Sequence, residues 1–372
     1  MAGFTTQCLP SYTVGTEAYA AVPQVIGAAN AVVVGGERAM AAGLERLERA
    51  VEGTDVHVAG SFWFGGEATY AQVDRLAAEP AVQAADAIFA MGGGKAVDTC
   101  KILAHRLDKP LYTFPTIASN CSPVSCISIM YNDDGSFLEI VQLHVPPAHC
   151  FIDTQIIAEA PEVYLWAGIG DTIAKYHEVT FSMRGDSPAY APVLGQAISC
   201  MCADPLLAHA AAALADCAAN RVSADLEHAA LNIIVSTGLV SGLVGVDYNS
   251  ALAHALFYGL TTIPSVERDH LHGEVVSYGV LVQLAMDGQD EALQELLRTY
   301  RALGLPTRLA DLGLTLEDDF TGVLAATEVN QELEHVPYPV TRERIWDAIV
   351  KLEAVSEACD APAAPAPQVP QD

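Results

Sequence analysis

Residues 86–106 read DAIFAMGGGKAVDTCKILAHR, and their order decides the fold. An apolar run at 87–91 enters Gly92-Gly93-Gly94, and a helical pattern follows over 95–107. Glycine lets a backbone approach a ligand closely, and a helix N-terminus offers unpaired N–H groups to an anion. The triplet does not fit GxGxxG, because Val97 stands at the last glycine position. Nor does it fit the Walker loop, which requires Ser or Thr after the lysine. Taken alone it reads equally well as a tight strand-to-helix turn and as a phosphate loop.

The same alternation extends outward from this stretch. Residues 31–34 read as a strand, followed by Gly35-Gly36 and a helix to 52. Further strands are predicted at 56–59, 87–91 and 111–114, with helices at 70–76 and 95–107. Strand-helix alternation predicts a parallel, Rossmann-like sheet covered on both faces. After Glu159-Ala160-Pro161 the texture changes, and Ala-rich helical patterns run over 191–252. With 372 residues, two domains are expected: α/β over 1–160 and all-α over 161–358. The Pro- and Ala-rich end, 359–372, reads as a disordered tail.

Composition narrows the class. The formal charge of −28 repels phosphate backbones, so no nucleic-acid partner is expected, and the charge is read as a solubility feature. No apolar run reaches the length of a membrane span, the longest candidates being broken by Gly, His or charge, so no membrane partner is expected. The N-terminal MAGFTTQCLPSY lacks a basic start followed by an apolar block, so no secretory signal is expected. The nine cysteines form no CxxC pair, which suggests reduced thiols and a cytoplasmic location.

Four segments carry a family resemblance: GGGKAVDTCK, PTIASNCSPVSCISIMY at 115–131, AGIGDTIAKYHE at 167–178 and LHGEVVSYG at 271–279. In order and spacing they resemble the iron-containing alcohol dehydrogenase superfamily, in its glycerol dehydrogenase branch. The match runs from about residue 32 to 339. The resemblance implies a metal held by Asp171, His254 and His272 in the helical domain. A carboxylate with two imidazoles suits Zn2+, with Fe2+ as the alternative, and leaves a position for water or a substrate oxygen. The iron enzymes of the superfamily place a His one turn after the Asp, where this chain has Lys175. The zinc-type site is therefore expected.

The resemblance also implies a nicotinamide dinucleotide. Its contacts fall on Glu37, Gly92, Gly93, Gly94, Lys95, Asp98, Thr116, Ser119, Ser125, Ile127 and Tyr131. A carboxylate at Glu37 accepts from a ribose 2′-OH and repels a 2′-phosphate, favouring NAD. A one-residue slip, with Arg38 facing the phosphate, would admit NADP. A homo-oligomer is a further implication.

The expected reaction is hydride transfer between the nicotinamide and a small carbonyl or hydroxy compound. Glycerol dehydrogenases carry Asp where this chain has Cys121, and the chain shares further segments with the hydroxycarboxylate dehydrogenases of the branch. Cys121 with Lys175 as a carboxylate partner points to a 2-oxo acid/2-hydroxy acid pair. The alternative is a vicinal diol such as glycerol. A third reading is a sugar-phosphate cyclase of the dehydroquinate synthase type. It needs several cations at the phosphate, and the metal motifs offer mainly Lys175 and Arg268. Phe257 stands where many relatives have a relay His and cannot relay a proton itself, which leaves Tyr258 or His270 as substitutes.

Overall fold

The computed structural model describes residues 11–359 and 361–369. The expected signal-free N-terminus, apart from Ser11 and Tyr12, and the last residues of the tail fall outside these. The described chain divides into two compact units, Met1–Ala160 with Ala215–Gly242, and Pro161–Leu214 with Leu243–Asp372.

In the first unit, β1 (Ser11–Gly15), β2 (Ala29–Gly35), β3 (Val56–Trp63), β4 (Ala87–Gly92), β5 (Leu111–Pro115) and β8 (His149–Asp153) form one sheet in the order β1-β8-β5-β4-β2-β3. Every pairing in it is parallel. Strands β6 (Ile127–Tyr131) and β7 (Phe137–Gln142) form a separate antiparallel pair. The unbroken apolar runs of β2 and β4 follow from burial on both faces. Val32, Val34, Ile88 and Ala90 pack on one side with Val97, Cys100 and Leu103 of the helix α2 (Gly94–Leu107). Val33, Phe89 and Met91 pack on the other with Leu47 and Val51 of α1 (Glu37–Val51).

All four predicted strands extend by one or more residues at their ends, and the helices fall where the pattern puts them. Strands β1 and β8 and the β6–β7 pair carry no prediction. Residues 11–15 and 149–153 are short and mix polar with apolar side chains, so neither period emerges. They are held by tertiary pairing: His149 hydrogen-bonds Ser11 through Nδ1 (2.6 Å) and Thr13 through Nε2 (2.9 Å).

The segment 215–242 belongs to the α/β unit, although its helical sequence suggests the second domain. Its packing explains this. Cys217 Sγ lies 3.5 Å from the Ala160 carbonyl, and Gly238 comes so close to Val124 that a Cβ there would sit 2.2 Å from Val124 Cγ2.

The second unit is helical. It contains α3 (Glu162–Ser182), α4 (Leu252–Leu260), α5 (His272–Met286), α6 (Asp290–Leu303) and α7 (Arg342–Glu357). Every residue of α5 from Gly273 to Ala285 is buried, as expected of a helix apolar on all sides. It can be so enclosed because glycines remove the bulk at its contacts. A Cβ on Gly273 would lie 1.9 Å from the Ala167 carbonyl oxygen of α3, and one on Gly170 would lie 2.5 Å from the Gly273 carbonyl. Gly279 meets the Ala253 carbonyl of α4 in the same way, at 2.6 Å.

Two features of the described residues bear on the sequence reading. The stretches Tyr190–Ala218 and Ala224–Val244 are long and apolar enough to cross a membrane by length and composition, with 33% and 56% of their apolar windows buried. Inspection of uninterrupted runs misses them, because scattered Gly, Ser and Asp break the run while alanines keep mean hydropathy high. In the tail, expected to be disordered, the described residues 361–369 have no regular structure but are tied to α6. Arg301 Nη1 donates to the carbonyls of Cys359 (2.8 Å) and Ala361 (3.0 Å), and Ala364 N–H donates to the Arg301 carbonyl.

Gly273→Ala is expected to destabilise the protein by at least about 1–3 kcal/mol in denaturant unfolding, since backbone must move to admit the methyl group. Gly322→Ala is the control. Nothing lies within 4 Å of its added Cβ, so that helix should be unchanged or stabilised by up to about 1 kcal/mol.

Candidate metal centre and nucleotide loop

The close helix contacts place three donors together. Asp171 follows Gly170 on α3, His272 precedes Gly273 at the start of α5, and His254 follows Ala253 on α4. Asp171 Oδ1 lies 3.5 Å from His254 Nε2 and 3.3 Å from His272 Nε2. One ligand atom from each residue lies within 4.8 Å of the others. A carboxylate and two imidazoles at this separation fit a divalent cation such as zinc or ferrous iron. Asp171 and His254 are largely enclosed, whereas the His272 side chain is 45% exposed, which leaves an open side to the cluster.

Electrostatics match this use. Burial alone would raise the Asp171 carboxyl, but hydrogen bonds from both histidines outweigh it and hold Asp171 well below the usual carboxylate range. Burial opposes charge on His254. The carboxylates of Glu178 and Asp171 outweigh that and push it up to about 10. Two buried carboxylates, Asp171 and Glu178, thus flank the His254 ring. Phe257 packs edge-on against the His272 ring at 4.3 Å between centroids, so the residue that cannot relay a proton instead buttresses that ring.

Lys175, expected as the partner of a substrate carboxylate, is engaged within the chain. Its buried ammonium donates to the Asn249 backbone carbonyl (2.6 Å) and to Asn249 Oδ1 (2.8 Å). A lysine committed to these acceptors gives a substrate carboxylate little to bind. Helical position relative to Asp171 could not reveal this, because Asn249 lies 74 residues away in sequence.

In the first unit the chain passes from β2 outward to β3, then returns to β4 on the opposite side of β2. This reversal is a topological switch point, where open parallel sheets bind ligands beyond their carboxyl ends. Gly35-Gly36 and Gly92-Gly93-Gly94 lie there, at the ends of β2 and β4. Gly92 has φ +149°, a conformation that requires glycine, and a Cβ on it would lie 3.8 Å from the Gly36 nitrogen. Gly93 is the N-cap of α2, and Glu37 is an exposed first residue of α1.

Gly94 is also needed for packing, since a Cβ there would lie 2.8 Å from Asn120 Nδ2. The loop after β5, with buried Thr116 and half-buried Ser119, therefore lies directly against the glycine turn. Lys95 Nζ is 2.5 Å from Glu67 Oε2 and 5.3 Å from the Tyr131 ring centre. Ile127 opens β6, and Tyr131 ends it.

Asp98 and Ser125 are engaged internally. Buried Lys101 donates to Asp98 Oδ1 (3.1 Å), Ser122 Oγ (3.2 Å), Ser125 Oγ (3.0 Å) and the Ile127 carbonyl (2.6 Å). Asp98 also accepts from Ser122 Oγ at 2.6 Å and from Ile129 N–H at 3.3 Å. Lys101 was not singled out in the sequence. The signal available was a charged residue on the apolar face of α2. Cys121 is half-buried, with its Sγ 4.0 Å from Ser241 Oγ.

Lys101→Met removes one partner of a buried ion pair and leaves Asp98 uncompensated. Chemical unfolding should register a loss of about 3–5 kcal/mol.

Comparison with known proteins follows the geometry. Residues 10–154 match the iron-containing alcohol dehydrogenase family. A glycerol dehydrogenase of Pseudomonas putida is 34% identical over 303 residues, spanning 79% of this chain and 81% of its own. Hydroxycarboxylate dehydrogenase A of Escherichia coli K12 is 33% identical over 328 residues, spanning 87% and 89%. The crystal structure of a glycerol dehydrogenase from Schizosaccharomyces pombe superimposes with a TM-score of 0.86 at 27% identity, covering 96% of this chain and 92% of the other. The chain therefore belongs to the iron-containing alcohol dehydrogenase family, as a glycerol dehydrogenase-like oxidoreductase.

Proposed function

We propose that the protein is a metal-dependent, nicotinamide-linked dehydrogenase that interconverts a small vicinal diol and its hydroxycarbonyl partner. The observation that carries this reading is the convergence of Asp171, His254 and His272 on one point. A bound divalent cation supplies Lewis acidity to an alcohol or carbonyl oxygen. Asp171 contributes negative charge to hold it, and the histidines contribute neutral nitrogen donors. His272, the exposed member, borders the side from which a substrate oxygen enters. The glycine turn and the N-terminus of α2 bind the dinucleotide pyrophosphate, and Glu37 selects NAD by accepting from the ribose hydroxyls.

The diol is favoured over the 2-oxo acid on two grounds. Lys175, the cation that the acid reading requires, is bonded to Asn249. Relatives carrying the name glycerol dehydrogenase, from Pseudomonas putida and Thermotoga maritima, are 34% and 32% identical to the chain. One observation favours the acid as a second reading. Cys121 brings no carboxylate to repel an acidic substrate, and the relative named hydroxycarboxylate dehydrogenase A covers 87% of the chain.

The test is a spectrophotometric assay of zinc-loaded protein with NADH and NADPH, comparing dihydroxyacetone, short 2-oxo acids and simple aldehydes. Dihydroxyacetone with NADH should give a kcat/KM at least about tenfold above the acids, a difference of about 1.4 kcal/mol in transition-state binding. A preference for 2-oxo acids would replace this reading with the second. Removal of the metal by a chelator should abolish turnover, restored on adding zinc.

A further inference from the structure

We propose that Glu178 is the positioning residue of the metal centre, and that it sets which nitrogen of His254 faces the cation. The inference rests on the metal reading above and concerns a residue with no part in it so far. Glu178 ends the AGIGDTIAKYHE segment and is fully buried on α3, two turns beyond Asp171.

Both its oxygens are committed. Oε2 lies 2.6 Å from His254 Nδ1. Oε1 accepts from the backbone N–H groups of Ala251 (2.8 Å) and His254 (2.9 Å), which lie at the start of α4. These N–H groups have no partner inside their own helix, so the carboxylate also caps α4. An ionised carboxylate only accepts hydrogen bonds, so the proton at this contact belongs to His254 Nδ1. In the neutral ring, the form that ligates a metal, the lone pair then falls on Nε2, the nitrogen that faces Asp171 at 3.5 Å. One side chain thereby sets the start of α4, the ring orientation and the donor nitrogen.

Two observations indicate that this is more than helix capping. A cap needs one or two backbone contacts, and here the second oxygen is spent on a ring nitrogen at short distance. The ring is the least accessible histidine of the donor cluster, so solvent cannot substitute for the carboxylate.

Glu178→Gln separates the roles. The amide retains one oxygen, enough for the two backbone N–H groups, and turns its NH2 towards Nδ1. Nδ1 must then accept, the ring proton moves to Nε2, and the metal loses a donor. Zinc affinity would be measured by competition with a chromophoric chelator, alongside the thermal unfolding of metal-free protein. The expected result is a Kd for zinc about 10–100-fold weaker than wild type, with metal-free unfolding shifted by no more than a few degrees.

Nitrogen-15 histidine NMR on zinc-loaded wild type gives an independent readout that needs no variant. It should show His254 protonated on Nδ1 and metal-bound through Nε2. Wild-type zinc affinity in the variant, or a metal-bound Nδ1 in the wild type, overturns the proposal while leaving the metal reading intact. A wild-type protein that binds no zinc overturns both.

Discussion

The second unit depends on how closely its helices approach one another. Side chains normally keep helix axes 8–10 Å apart, and a helix enclosed on all sides must find room for its neighbours' backbones. Gly170, Gly273 and Gly279 provide that room, because carbonyl oxygens of the facing helices occupy the space a Cβ would take. Asp171 and His272 each adjoin one of these contacts in sequence, and His254 adjoins Ala253 at the third. The geometry of the donor cluster is therefore a consequence of helix packing. A methyl group at any of these positions would separate the ligands as well as the helices.

Each unit buries one lysine, and in each the charge organises a polar network. In the first, Lys101 joins α2 to the loop after β5 and to the start of β6 through Asp98, Ser122, Ser125 and the Ile127 carbonyl. In the second, Lys175 joins α3 to Asn249, just ahead of α4. A buried ammonium is costly unless nearly all its donors are satisfied, so both lysines fix the position of the segments that satisfy them. The segments so fixed are those that carry the glycine turn and the metal donors.

Glu178 shows how the same economy extends to a ligand. A buried carboxylate with three N–H partners tolerates no rotation, and a histidine hydrogen-bonded at Nδ1 has its remaining lone pair pointing in one direction. The donor geometry proposed for a cation is thereby fixed by the fold itself. The glycine turn at the end of β4 is prepared in a comparable way: the positive φ of Gly92 turns the chain into α2 with its N-terminal amides exposed at the switch point.

By itself the sequence determined the local grammar of the protein. The apolar runs of β2, β4 and β5 between helical stretches, and the glycines at 92–94, read as a parallel sheet because periodicity and turn chemistry act over a few residues. Four motifs in register indicated the family and brought Asp171, His254 and His272 forward as ligands. Only the tertiary structure decided what each polar side chain does. Lys175 reads as a free cation one turn from Asp171, yet Asn249 occupies it. Asp98 and Ser125 read as cofactor contacts, yet Lys101 holds them. Residues 215–242 read as part of the helical domain, yet pack with the sheet. The physical reason is common to all. Hydrophobic period is written locally in the chain, whereas a hydrogen-bond partner is set by which distant residues folding brings within 3 Å.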